Sequence, residues 1–205
     1  MEVVGERWAM LIVRDLMVGP RRFSDLHRGL KGIPTNILTA RLKELEMAGI
    51  VRRRVLPRPA GSIVYELTPY GLQLEDSVVQ LGRWGAKMLA DPREDEIITP
   101  DSLVMALRST FRPEAARGVR AGYELRAGDV VIHARVSKGK IEVAEGPMED
   151  ADLVIEAGPG IKALMAREIT PKEALERGVV RVTGDRKLLT AFAQMFTIDP
   201  MPRAG

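Results

Sequence analysis

The sequence predicts two folded parts: a winged helix-turn-helix over residues 1–90, mainly α with a β-hairpin wing, and an α+β domain over residues 100–198 with a mainly antiparallel sheet. Three observations carry that expectation. In the first ninety residues, apolar positions recur at helical spacing and glycines cut them into short helices. Two strand-like runs joined by a Pro/Gly-rich turn follow the third helix directly. Beyond residue 100 come strand-like runs at hairpin distance and then a series of helices. At 205 residues and 45% hydrophobic, the chain can bury two cores of about 100 residues each.

The first helix is expected from Glu6 to Val18, where Trp8, Leu11, Ile12 and Leu16 share a face and Gly19-Pro20 ends it. A second starts around Phe23 with Ser24 as its cap and ends at Gly32. A third carries Leu38, Leu42 and Leu45 as a narrow apolar stripe up to Gly49, with Asn36, Thr39, Ala40 and Lys43 on the opposite face. Val51 to Leu56 alternates, Pro57 to Ser62 turns, and Ile63 to Leu67 returns as the second strand of the wing. Thr68-Pro69 caps and opens a fourth helix. Along it Leu74, Val78, Leu81, Gly85 and Met88 step by four and three, the seam of a helix that packs on another helix. Leu74, Val78, Leu81, Trp84 and Met88 are therefore expected dimer contacts, with packing inside one chain as the alternative. Gly82 and Gly85 suggest close backbone approach there.

Residues 91–99 read as a charged linker and 199–205 as a tail. Between them we expect a capped helix from Thr99, strands at Val119–Arg126, Asp129–Val136, Lys140–Glu145 and Asp152–Ala157, and helices at Gly160–Arg167 and Pro171–Arg177. A strand Val179–Thr183 and a helix Asp185–Phe196 complete the order.

Charge is unevenly spread. The net charge is +3, but residues 1–90 hold 14 basic and 9 acidic side chains, and the stretch Pro20–Arg58 holds ten basic against three acidic. A local field of that sign suits a polyanion. The absence of cysteine excludes disulfides, thiolate metal sites and thiol redox switching. The short, charge-broken apolar runs at the N-terminus predict neither a secretion signal nor a membrane span, and hence a cytoplasmic protein.

Short polar side chains on an exposed helix face reach base edges in a major groove, and Asn36, Thr39 and Lys43 fit that task. Thr35 is expected as a cap or phosphate contact and Arg41 as a phosphate clamp. Arg52, Arg53, Arg54 and Arg58 on the wing, and Arg21 and Arg22 before the second helix, are expected on the duplex backbone. Alternation puts Arg52 and Arg54 on the side opposite Arg53.

No enzyme, cofactor or metal is expected. His27 and His133 stand one per domain without a ligand-spaced neighbour, Gly158-Pro159-Gly160 lacks the lysine and length of a phosphate loop, and Glu149, Asp150 and Asp152 do not continue as a calcium loop.

The residues GERW, LIVRDLMVGPRRFSDL, GIPTNILTARLKELEMAGIV, YELTPYG and Leu81 to Trp84, in that order, strongly resemble the HxlR family of bacterial winged-helix regulators. That resemblance implies homodimeric binding to double-stranded operator DNA and control of a nearby operon. ADLVIEA followed by GVVRVTGDRKLLTAFAQMF resembles a sterol carrier protein type domain, which implies an α+β sheet with an apolar cavity for lipid-like molecules. Leu103, Leu107, Phe111, Leu164, Met165, Leu188, Phe192, Met195 and Phe196 either line such a cavity or form an ordinary core. The leading expectation is a dimeric transcriptional regulator with an apolar effector site. The alternative is a lipid or acyl carrier whose winged helix is only an assembly module.

Overall fold

The computed structural model describes residues 3–57, 61–88, 98–158 and 160–200, so Arg58 and most of the expected linker at 91–99 lie outside the described residues. The chain divides into two compact units, Met1–Val79 and Gln80–Gly205. The division falls inside a helix, ahead of the linker position.

The first unit begins with α1 (Ala9–Val18), α2 (Phe23–Gly29) and α3 (Thr35–Met47). Ile12, Leu16, Leu26, Leu38, Leu42 and Leu45 are all at most 3% exposed, so the three apolar stripes meet in one core. Each leucine sequestered there stabilises the fold by about 1.5 to 3 kcal/mol relative to exposure. Two expectations need correction. The first helix begins at Ala9 rather than Glu6, and the cap of α2 is Arg22, not Ser24. The Arg22 backbone N–H donates to Asp25 Oδ2 at 3.1 Å, which places the cap two residues earlier than the sequence suggested, while the helix itself starts at Phe23 as expected.

The wing is β1 (Val51–Val55) paired antiparallel with β2 (Ile63–Leu67), in the register Val51 to Leu67 and Arg53 to Tyr65. A third segment, which the pattern did not reveal, completes it. Arg21 and Tyr65 exchange backbone hydrogen bonds of 3.0 and 2.7 Å, so the chain just before α2 flanks β2 on its other edge.

The expected fourth helix is two helices, α4 (Pro69–Leu72) and α5 (Glu75–Ala86). Thr68 caps α4: its hydroxyl accepts from the Gly71 N–H at 3.0 Å and donates to the Gly49 carbonyl at 2.6 Å. Gly71 is required by space. A Cβ there would stand 2.2 Å from the Ile50 carbonyl oxygen.

The second unit contains the end of α5, then α6 (Pro100–Thr110), a 3-10 turn (Pro113–Ala116), β3 (Arg120–Ala127), β4 (Val130–Ser137), β5 (Lys140–Glu145) and β6 (Leu153–Ala157). It continues with α7 (Ile161–Met165), α8 (Pro171–Glu176), β7 (Val180–Gly184) and α9 (Lys187–Met195). Strands lie in the order β5-β4-β3-β6-β7. Every neighbouring pair is antiparallel except β3 with β6, where Leu125 lies level with Ile155. The mixed α+β architecture and the mainly antiparallel sheet are as the sequence predicts, with strand ends within about two residues.

Tyr123, Leu125, Ile132, Ala134, Leu153 and Ile155 alternate onto one buried face of the sheet. On the opposite face Glu124, itself 2% exposed, accepts from the Met148 N–H at 2.8 Å and from Arg126 at 2.6 Å, which ties residues 146–152 to β3. Burial would raise the Glu124 carboxyl, but these donors outweigh it and hold the group below the usual carboxylate range.

Candidate nucleic-acid interface

The leucine stripe of α3 turns Asn36, Thr39 and Lys43 outward at i, i+3 and i+7, and all three are exposed. Asn36 and Lys43 make no side-chain hydrogen bond or ion pair among the described residues. The Thr39 hydroxyl donates to the Thr35 carbonyl at 2.8 Å, which leaves its oxygen as an acceptor. The stripe continues four residues on to Met47, 79% exposed, an apolar position that periodicity alone counts as neither core nor site. Thr35 is the first residue of α3 and not its cap; Pro34 holds that position, and the Thr35 hydroxyl lies 3.3 Å from His27 Nε2.

Arg41 stands apart from this set. Its guanidinium pairs with Glu44 one turn along α3 and with Glu6 at 3.5 Å, and only 21% of the side chain is exposed. The expected phosphate clamp is therefore occupied by two carboxylates of its own chain. The reason is tertiary: packing brings residues 6 and 41 together.

The wing arginines are exposed and also paired. Arg52 and Arg54 both reach Glu66, each at 2.8 Å, while Arg53 reaches Glu46 of α3 at 2.7 Å. This is the expected alternation, with two arginines on one side and one on the other. The hydrogen bond from Arg54, joined by Arg52 and opposed by burial, holds the Glu66 carboxyl below the usual range. The hydrogen bond to Glu46 holds the Arg53 guanidinium above its ordinary value. Farther out, Val55 and Ile63 face each other across the ladder at 66% and 53% exposure. Arg22 is exposed and Arg21 half-buried at the edge of the wing.

The residues expected at a dimer seam separate into two groups. Val78 is 6% exposed within one chain and so is not free for a partner, while Leu74 is half-buried ahead of α5. Leu81, Trp84 and Met88 are 50%, 61% and 60% exposed at i, i+3 and i+7. A Cβ on Gly82 would meet Ser109 Oγ at 2.5 Å, so close approach at this glycine is made to α6. Arg83 on the same turns donates to the Ser109 and Phe111 carbonyls at 3.0 and 3.2 Å. At Gly85 there is open space.

Of the expected cavity residues, Leu107, Phe111, Leu164, Met165, Phe192, Met195 and Phe196 are buried, and Leu103 and Leu188 are half-buried. The rings pack on one another: Phe192 and Phe196 centroids are 4.6 Å apart, and Phe111 and Phe196 are 5.6 Å apart. Tyr123 joins them 5.7 Å from Phe192. Its hydroxyl is buried without a hydrogen-bond partner among the described residues. Burial first, and then Asp152 and Asp185, push that phenol up to about 12.

His133 Nδ1 lies 2.9 Å from the Gly146 carbonyl and the His27 ring stacks on Phe23, so both histidines are held by structural contacts. Asp150 pairs with Arg135 at 3.2 Å, and Asp152 accepts from the Gly122 N–H at 2.7 Å. Among the described residues no group of three or more His, Asp or Glu is arranged to hold a metal ion, and no helix is long and apolar enough to cross a membrane.

Three helices, a wing on the third and an outward polar stripe define a winged helix-turn-helix. Residues 3–93 match the HxlR-like helix-turn-helix family. The HTH-type transcriptional regulator YvaP of Bacillus subtilis (strain 168) is 35% identical over 91 residues, which are 44% of this chain and 83% of that protein. YodB, an HTH-type transcriptional regulator of the same organism, is 38% identical over 82 residues, 40% of this chain and 73% of YodB. The solved structure of reduced YodB is 36% identical, covers 42% of this chain and 84% of its own, and has a TM-score of 0.39. The chain belongs to the HxlR-like helix-turn-helix family.

Proposed function

We propose that this protein is a homodimeric, sequence-specific DNA-binding transcriptional regulator and not an enzyme. One observation carries the reading: in a chain of this family, the outward stripe of α3 consists of Asn36, Thr39 and Lys43, side chains that hydrogen-bond base edges. The HTH-type regulators YvaP and YodB, 35% and 38% identical to this chain over 91 and 82 residues, support it. In this reading α3 lies in the major groove, and Arg21, Arg22, Arg52, Arg53, Arg54 and Arg58 face the backbone. The exposed stripe Leu81, Trp84 and Met88 is the dimer contact, since three large apolar side chains in a row cost free energy in water unless covered.

The second unit, of sterol carrier type in this reading, is where an apolar effector acts. Leu103 and Leu188, the half-buried members of its apolar set, are the points of entry, and the ring cluster must open to admit a ligand. Such a ligand regulates only by binding the DNA-competent and incompetent states unequally.

Selection of bound sequences from a random duplex pool tests the reading. It is expected to return two half-sites about 34 Å apart, one turn of the duplex. Recovery of unenriched sequence at moderate salt rejects it. Repeating the selection-derived titration with a saturating fatty-acyl ligand tests the effector role, with a shift in operator affinity of about 5-fold to 150-fold expected.

A further inference from the structure

We infer that Glu66 and Glu46 are resident phosphate surrogates: they hold Arg52, Arg53 and Arg54 of the wing in carboxylate ion pairs that a DNA phosphate must displace, which lowers affinity for random duplex and sharpens selectivity. The inference rests on the DNA-binding reading above.

The geometry is that of a carboxylate placed beneath exposed guanidinium groups. Arg52 Nε and Nη2 both lie 2.8 Å from Glu66 Oε1, and Arg54 Nε lies 2.8 Å from Oε2. Glu66 stands directly opposite Arg52 in the ladder and one diagonal step from Arg54, so one carboxylate serves both. On the other side of the strand, Arg53 Nε meets Glu46 Oε1 at 2.7 Å. The arginine side chains are 59%, 59% and 43% exposed, whereas Glu66 is 12% and Glu46 23% exposed. An incoming phosphate can therefore touch every guanidinium without first reaching a carboxylate.

Carboxylate and phosphate are like-for-like acceptors for a guanidinium fork, so one can replace the other. The replacement is not free of consequence. Three cations and two anions leave this cluster at +1, and each displaced carboxylate remains facing a phosphate of the same sign. Contacts elsewhere must hold the duplex in place for the exchange to be favourable, and base contacts along α3 supply them on the right sequence alone. Lys43, exposed and without an ion pair among the described residues, has no such restraint.

The test uses the full chain with Glu66→Gln and Glu46→Gln, which keep shape and a carbonyl acceptor while removing the charge. Glu145→Gln, an exposed change of equal charge in the second unit, is the control. Binding to a random-sequence 20-bp duplex is followed by fluorescence anisotropy from about 50 to 300 mM salt, with circular dichroism confirming the fold. One further phosphate contact steepens the log–log salt slope by about 0.9, which near 0.1 M corresponds to roughly 5- to 10-fold tighter binding. Each of the two variants is expected to show that gain with a smaller gain on the selected operator, and Glu145→Gln to stay within about twofold of wild type. Variants that match the control, or that bind more weakly while folded, overturn the inference and leave the DNA-binding reading standing. Failure of wild type and variants alike to bind any duplex at the lowest salt removes the reading and the inference together.

Discussion

Replacing Gly71 with alanine tests whether the first unit is locked where α4 meets the chain entering the wing. The added Cβ would lie 2.2 Å from the Ile50 carbonyl oxygen, whereas real Cβ contacts stay beyond 3.0 Å, so that oxygen must retreat by roughly 0.8 Å. The same oxygen accepts from the Thr68 N–H at 2.9 Å, and such a retreat carries the bond out of range. Overpacking costs about 1 to 3 kcal/mol and the lost hydrogen bond about 1 kcal/mol more. Alanine returns less than about 1 kcal/mol in helix propensity. A net loss of about 1 to 4 kcal/mol follows, and for a unit of this size it lowers Tm by about 4 to 30 °C. Urea and thermal unfolding followed by circular dichroism measure it. Gly85→Ala is the internal comparison: with open space at that position the substitution should raise stability by up to about 1 kcal/mol. A Gly71→Ala protein as stable as wild type would refute the close approach of α4 to the Ile50 carbonyl.

Asn36→Ala and Thr39→Ala should each relax sequence preference at particular operator positions by about 1 to 3 kcal/mol, read by competition between operator variants; uniform weakening across all sequences would instead assign them to the backbone. Leu81→Glu puts a charge into the exposed stripe and should convert the proposed dimer to monomer in sedimentation velocity, whereas unchanged sedimentation rejects this stripe as a dimer contact. Tyr123→Phe should stabilise the second unit by about 1 kcal/mol, because it removes a buried hydroxyl that has no partner among the described residues. The pH dependence follows from the same group. With its folded value raised to about 12, the neutral phenol contributes stability that is whole below the ordinary value of about 10 and is lost as pH rises from there toward 12. Tyr123→Phe should flatten that alkaline loss, and urea midpoints from pH 8 to 11 that fall equally in both proteins would contradict it.

The sequence by itself determined what depends on neighbours along the chain. Leu38, Leu42 and Leu45 at i, i+4 and i+7 fix which side of α3 is buried, and hence that Asn36, Thr39 and Lys43 face outward. Alternation in Val51–Val55 fixes that Arg53 opposes Arg52 and Arg54, and turn residues mark the strand ends of the second unit. Periodicity of 3.6 or 2 is a local property, so it survives without knowledge of the fold.

Only the tertiary structure decided which charges meet. Arg41 with Glu6, Arg53 with Glu46 and Arg52 with Glu66 are separated by 35, 7 and 14 positions, and a basic stretch read from sequence looks freer than it is. It also decided the parallel pairing of β3 with β6, the third edge of the wing at Arg21, and the burial of Val78 while Leu81, Trp84 and Met88 stay outside. The physical reason is common to all of these. Each depends on two segments brought together by packing, and a side chain's own sequence position carries no record of what the fold lays against it.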